Sequence, residues 1–123
     1  KSAFELASFI GEKEAGDALL LTSSLVSSGK KPHEVIGLLC WHLKRLLRAK
    51  DLQSKGEGDF DIVRILGVRK DGVKEFLKHL KRLSAREIGS KMEMLLEADL
   101  KVKKSRLDPR LILEFLIMRL CLV

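Results

Sequence analysis

Few side chains in this sequence can act as nucleophile, base or metal ligand. They are His33, His42 and His79, with Cys40 and Cys121. Cys40-x-His42 would supply two zinc donors where a structural site needs four, and no second Cys/His pair exists. The histidines therefore read as solvated or helix-capping residues, and the cysteines, each inside an apolar helical pattern, as buried free thiols of a reducing cytosol. No Ser/His/Asp or Cys/His spacing suggests a hydrolytic arrangement. A phosphate loop requires G-x-x-x-x-G-K-[S/T] after a strand. Gly11 and Gly16 have the glycine spacing, but Asp17 stands where the lysine must neutralise phosphate, and its carboxylate would repel that group. No catalytic group, cofactor or metal is expected.

The charged side chains carry more information. Asp99 falls in the stripe Ile88, Met92, Leu95, Asp99, Val102, which places its carboxylate on the core side of a helix. A buried charge needs a partner. Lys103 follows four residues later, in the favoured acid-before-base order, and Arg110 or Arg119 of the last helix are further candidates. A structural Asp99–Lys103 ion pair is expected. Trp41, Lys44, Arg45 and Arg48 share one helix side by their spacing, an aromatic among cations suited to docking a protein or a phosphate. Lys104, Arg106 and Arg110 form a second basic corner. Residues 59–82 read as a short helix, the turn Leu66-Gly67-Val68, and a helix projecting Lys74, Lys78, Lys81 and Arg82. A helix-turn-helix unit has this outline. The positions that would read bases, however, hold Val73, Lys74 and Glu75 rather than Arg, Asn, Gln or Ser. A scaffold helix pair with a basic, DNA-proximal face is the expectation, and a basic DNA-binding module the alternative.

The elements that position these groups follow from pattern and composition. The 123 residues suit one domain, and the 24 Lys+Arg against 17 Asp+Glu leave a formal charge of +7. Residues 1–61 are neutral overall, so the whole excess lies in residues 62–123, which points to an acidic partner surface or to plain helix solvation. Good helix formers abound and strand formers are scarce, which excludes an all-β fold. No apolar run approaches the ~20 residues of a membrane helix and no signal peptide is visible, while Lys1 in place of Met suggests a fragment of a larger chain.

Along the chain, a Ser2/Glu5 capping box opens a short helix with Phe4, Leu6, Phe9 and Ile10, ended by Gly11. A helix over residues 13–28 ends at Gly29. Pro32 starts a long helix to Ser54, with Ile36, Leu39, Leu43, Leu46 and Leu47 inward. Short helices over 59–66 and 70–83 follow. Ser84 and Glu87 form another capping box for a helix reaching Lys104, and Asp108–Pro109 opens the last helix. That helix is apolar nearly all round, so it is expected to be central or covered by a partner. Six to seven helices with short loops make an all-α bundle.

In order and spacing, these blocks resemble one family. Glu97-Ala98-Asp99 with Lys103, then Asp108-Pro109 with Glu114 and an apolar helix, are similar to the C-terminal domain of the delta subunit of the bacterial DNA polymerase III clamp loader. Pro32-x-Glu34-x-Ile36, Leu66-Gly67-Val68, Phe4-Glu5-Leu6 and Gly16-Asp17-Ala18-Leu19 extend the resemblance over nearly all of residues 3–122. Cys40-Trp41-His42 and the basic 69–82 stretch depart from it. The resemblance implies a non-catalytic cytoplasmic collar domain that packs in a ring with the other clamp-loader subunits, gamma/tau and delta prime. It also implies that ATP is hydrolysed by those partners and that the sliding clamp is opened by an N-terminal domain outside this chain. The collar of a related clamp-loader ATPase is the nearby alternative. The Trp41–Arg48 face and the Lys104, Arg106 and Arg110 corner are the surfaces expected to meet the partners.

Overall fold

Helix-terminus chemistry sets most of the boundaries in the computed structural model, which describes residues 2–123, Ser2 by its backbone alone. Among the described residues there are seven α-helices and no strand. They are α1 (Ser2–Gly11), α2 (Ala15–Ser27), α3 (Pro32–Ser54), α4 (Asp59–Ile65), α5 (Val73–Arg82), α6 (Ala85–Lys104) and α7 (Pro109–Leu122), with a single 3-10 turn at Lys70–Gly72 before α5. The Ser2/Glu5 cap lies outside the described residues.

The cap expected for α6 is formed. Ser84 Oγ accepts from the Glu87 backbone N–H at 3.1 Å, and Glu87 returns the bond to the Ser84 N–H at 2.9 Å. Asp108 caps α7 by accepting from Arg110 N–H at 3.0 Å, with Pro109 in the first turn. Glu34 reaches back to the Lys31 N–H at 2.7 Å, and Pro32, which has no N–H, opens α3 without adding an orphaned donor. Gly29 and Gly67 take positive φ at the ends of α2 and α4.

Two boundaries differ from those expected. Gly11 does not close α1; it stays helical, close against the Arg82 side chain. The closing residue is Lys13, at φ 59, where Lys13 N–H bonds Ile10 carbonyl and Glu14 N–H bonds Phe9 carbonyl. These two bonds use up residues 13 and 14, so α2 begins at Ala15. In the same way residues 70–72 form the 3-10 turn, and α5 starts at Val73.

α3 is the axis of the bundle, about 35 Å long at the α-helical rise. It packs most extensively on α6, with α1, α5 and α7 also against it, while α7 lies between α6 and α2. The core joins Leu6 and Ile10 to Ile36, Leu39, Leu46, Phe76, Leu80, Leu95, Leu113 and Ile117. Leu47 does not belong to it: it is exposed, and the buried face of α3 runs through Val35, His42 and Ala49 instead.

On α6 the buried ridge is Ile88, Lys91, Leu95 and Ala98, one step round from the expected Met92 and Asp99, which sit at its half-buried flank. The apolar stem of Lys91 allows this. It packs inside while its Nζ donates to Leu120 carbonyl at 3.0 Å, meeting an orphan acceptor near the C-terminal end of α7. Asp99 is therefore not a core carboxylate. α7, too, is only half covered: Ile112, Leu113, Leu116, Ile117, Leu120 and Cys121 are buried, and its other side is open.

Candidate functional site

Three surfaces and one buried cluster hold the side chains that could recognise anything. The first is the outer side of α7. Leu111, Phe115, Met118 and Leu122 recur at helical spacing and are exposed, Phe115 to 60% and Leu122 to 77%. Leu107, in the loop before α7, lies beside Phe115 and lines a shallow depression with Met94, Ile112 and Arg119. The sequence signal was an all-apolar helix; the bundle uses one face and leaves the other.

The second surface is on α3. Trp41 is half exposed, and the Arg45 guanidinium carbon lies 4.5 Å from its ring centroid. Arg45 is not free. It also lies 5.5 Å from the Phe76 ring centroid and donates to Leu66 carbonyl at 3.0 Å, closing the C-terminal end of α4. Burial, with the neighbouring Arg48 charge, lowers the Arg45 pKa from its ordinary value. Lys44 and Arg48 are exposed, and among the described residues neither has a carboxylate within ion-pair range. Lys44 and Arg48 are thus the unpaired cations of this face, and Arg45 is its brace.

The third surface is basic and largely self-compensated. Lys103 Nζ lies 2.8 Å from Asp99 Oδ2, with the lysine mostly in solvent. The other two arginines considered for Asp99 are engaged elsewhere: Arg119 with Glu97 at 3.2 Å, and Arg110 with Glu114 at 3.3 Å and Ser23 Oγ at 3.0 Å. Lys104 and Arg106 remain exposed. On α5, Lys78 and Arg82 both turn to Glu12 in the turn after α1, at 3.2 and 4.0 Å, leaving Lys74 and Lys81 to solvent. α4 rests on α3 and has no comparable packing on α5, so the pair does not form the mutually packed unit of a helix-turn-helix.

The histidine assignment is corrected. His33 is exposed, but His42 and His79 are 1% and 4% exposed and bond to each other, His42 Nε2 to His79 Nδ1 at 2.9 Å. His79 Nε2 lies 2.9 Å from Ser8 Oγ, which donates to Glu75 Oε2 at 2.9 Å. Burial first, then the charges of His79 and Arg45, drives the His42 pKa down to about 3, and burial lowers that of His79 as well. Both rings are neutral at neutral pH. Their positions, i and i+37 on separate helices, gave no local signal of pairing. Cys121 is buried and Cys40 half-buried, both as free thiols whose pKa burial raises.

Comparison with known proteins gives this arrangement a family. The domain superimposes on the Bacillus subtilis DNA clamp loader delta protein (YqeN) with a TM-score of 0.85 at 23% sequence identity, covering 99% of this chain and 36% of that protein. The chain thus spans about a third of that relative's length, and the likeness establishes the fold. No curated protein sequence matches significantly. The family model for the C-terminal domain of the DNA polymerase III delta subunit matches residues 1–120. A match over nearly the whole chain, on a helical bundle of the same fold, shows that the chain belongs to the family of C-terminal domains of the DNA polymerase III delta subunit.

Proposed function

We propose that this domain is a collar module: a non-catalytic oligomerisation domain that holds a delta-type subunit in the ring of a bacterial clamp loader. The observation that carries this reading is the outer row of α7. A helix that is core on one side and presents Leu111, Phe115, Met118 and Leu122 on the other has the apolar spacing that helix-to-helix association uses. The exposed cations Lys44 and Arg48 of α3, with Lys104 and Arg106 after it in the chain, add charge that favours one orientation of approach. In this reading the partners are the gamma/tau and delta prime subunits, the ATPase work is theirs, and the sliding clamp is engaged by an N-terminal domain of the same protein. The chain is then one domain of a longer cytoplasmic protein.

Assembly of the full-length protein with its partners tests the reading. Phe115→Glu with Leu122→Glu should abolish the complex on size-exclusion chromatography. Complete assembly of this double variant would refute the α7 contact. Reversing Lys44 and Arg48 to glutamate tests the α3 face without disturbing α4, which Arg45 holds; unchanged assembly removes that face from the interface.

Duplex reading by α5 receives less support, because Glu12 already pairs two of its four cations. It predicts a gel shift by the chain alone that weakens steeply with salt. The collar reading predicts no such complex.

A further inference from the structure

The chain Ser8, His42, His79 and Glu75 links three helices through one directed series of hydrogen bonds, and its direction can be assigned. Ser8 has a single hydroxyl proton and gives it to the Glu75 carboxylate, which only accepts. Toward His79 Nε2, Ser8 must then accept, so that nitrogen carries a proton. A neutral imidazole has one N–H, so His79 Nδ1 is bare and accepts from His42 Nε2–H. His42 Nδ1 is left without a proton. It is the one buried side-chain nitrogen or oxygen, among the described residues, that has no partner. The network therefore places its single defect on a lone pair, which is easier to bury than an N–H.

No such solution exists once a proton is added. On His79 Nδ1 it would set a donor against the His42 Nε2 donor at 2.9 Å. Moving the His42 proton to Nδ1 relieves that clash only by burying an N–H with no acceptor. A proton on His42 Nδ1 does the same, and adds charge to the core beside the Arg45 guanidinium. The surroundings do not compensate. Glu75 and Glu12 favour a charged His79, whereas Lys78 and Arg82 of α5 oppose it, and Lys91 of α6 lines the same small cavity as both rings. α7 brings only Leu120 there.

We propose that this histidine pair is an acid-operated latch: it holds α5 to α1 and α3 while neutral, and proton uptake releases α5 ahead of the rest of the bundle. α5 is the element to yield because its substantial packing is on α1, α3 and its own 3-10 turn, whereas α1 also packs on α2 and α7, and α3 on α6 and α7. Release separates Lys78 and Arg82 from Glu12, and so leaves Lys74, Lys78, Lys81 and Arg82 all unpaired on one face.

Amide exchange followed by NMR between pH 7.5 and 5, corrected for intrinsic rates, tests this. Below about pH 6 the opening of α5 should rise about tenfold per pH unit for each proton the open form takes up, while α6 and α7 keep their protection. In His42→Leu, which leaves one imidazole in the network, the slope should fall to one proton or less. If that variant does not fold, ring nitrogen shifts of the unaltered chain decide. They should show His42 protonated at Nε2 and bare at Nδ1, with neither ring taking up a proton before α5 opens. Two results overturn the proposal: α5 protection that follows α6 and α7 at every pH, or either histidine titrating between pH 6 and 7 with α5 still closed.

Discussion

Arg45 shows how much one side chain can hold. Its guanidinium lies over Trp41 and near Phe76 and closes α4 at Leu66, so it ties α3, α4 and α5 together. Arg45→Ala removes one hydrogen bond and two cation–π contacts, together about 2–3 kcal/mol, readable as a lowered thermal midpoint. Lys91→Ala should cost about 1–3 kcal/mol, since it deletes a buried stem and leaves the Leu120 carbonyl unpaired. Neither role is legible from residue type. Arg45 looks like a rim cation, and the apolar pattern of α6 points to Met92 and Asp99 because it scores Lys91 as polar. The histidines fail for a related reason: a partner 37 residues away leaves no spacing to read. They also contribute to the loss of stability in acid. Their folded pKa values are below the ordinary 6.5, so the unfolded chain binds more protons. Stability is then complete above about pH 6.5 and falls as pH drops toward the folded value of about 3 for His42, which chemical denaturation at stepped pH will trace.

At the level of elements, the sequence was most informative at helix ends, where one residue type has one physical reason to be present. Ser84 with Glu87, Asp108 with Pro109, Gly29 and Gly67 all take their expected places. Lys13 is the exception, a left-handed residue with a Cβ. That geometry costs about 1–2 kcal/mol in a non-glycine residue, offset by less backbone freedom in the unfolded chain. Lys13→Gly should therefore stabilise the domain by about 0.5–1 kcal/mol in urea unfolding, whereas Gly67→Ala, at φ 65, should destabilise it by a similar amount. α7 was legible as apolar but not as two-faced. Its composition does not say which half the bundle uses, because that depends on where α2 and α6 lie.

Across the whole molecule the basic excess has been divided. Glu12, Asp99, Glu97 and Glu114 occupy Lys78, Arg82, Lys103, Arg119 and Arg110, all near the surface, where each pair contributes little. Among the described residues, exposed cations without a carboxylate partner, such as Lys44, Arg48, Lys74, Lys81, Arg86, Lys104 and Arg106, are spread over α3, α5, α6 and the loop after it. The exposed α7 row makes a further prediction at this scale. In the chain alone, Phe115→Glu should leave thermal stability within about 1 kcal/mol of the original, because most of the side chain is in solvent. The same change should still prevent assembly, which separates an interface residue from a folding one.

The brace at Arg45 has an optical consequence. Trp41 is the single tryptophan of the chain, and its ring faces the guanidinium that also contacts Phe76 of α5 and Leu66 beyond α4. Any loosening of α5 removes Phe76 from that stack and leaves the cation held by Leu66 and Trp41 alone, altering the electric field and quenching at the indole. The domain thus contains its own fluorophore at the joint of three helices, and a change in indole emission on acidification would report α5 release in real time without a label.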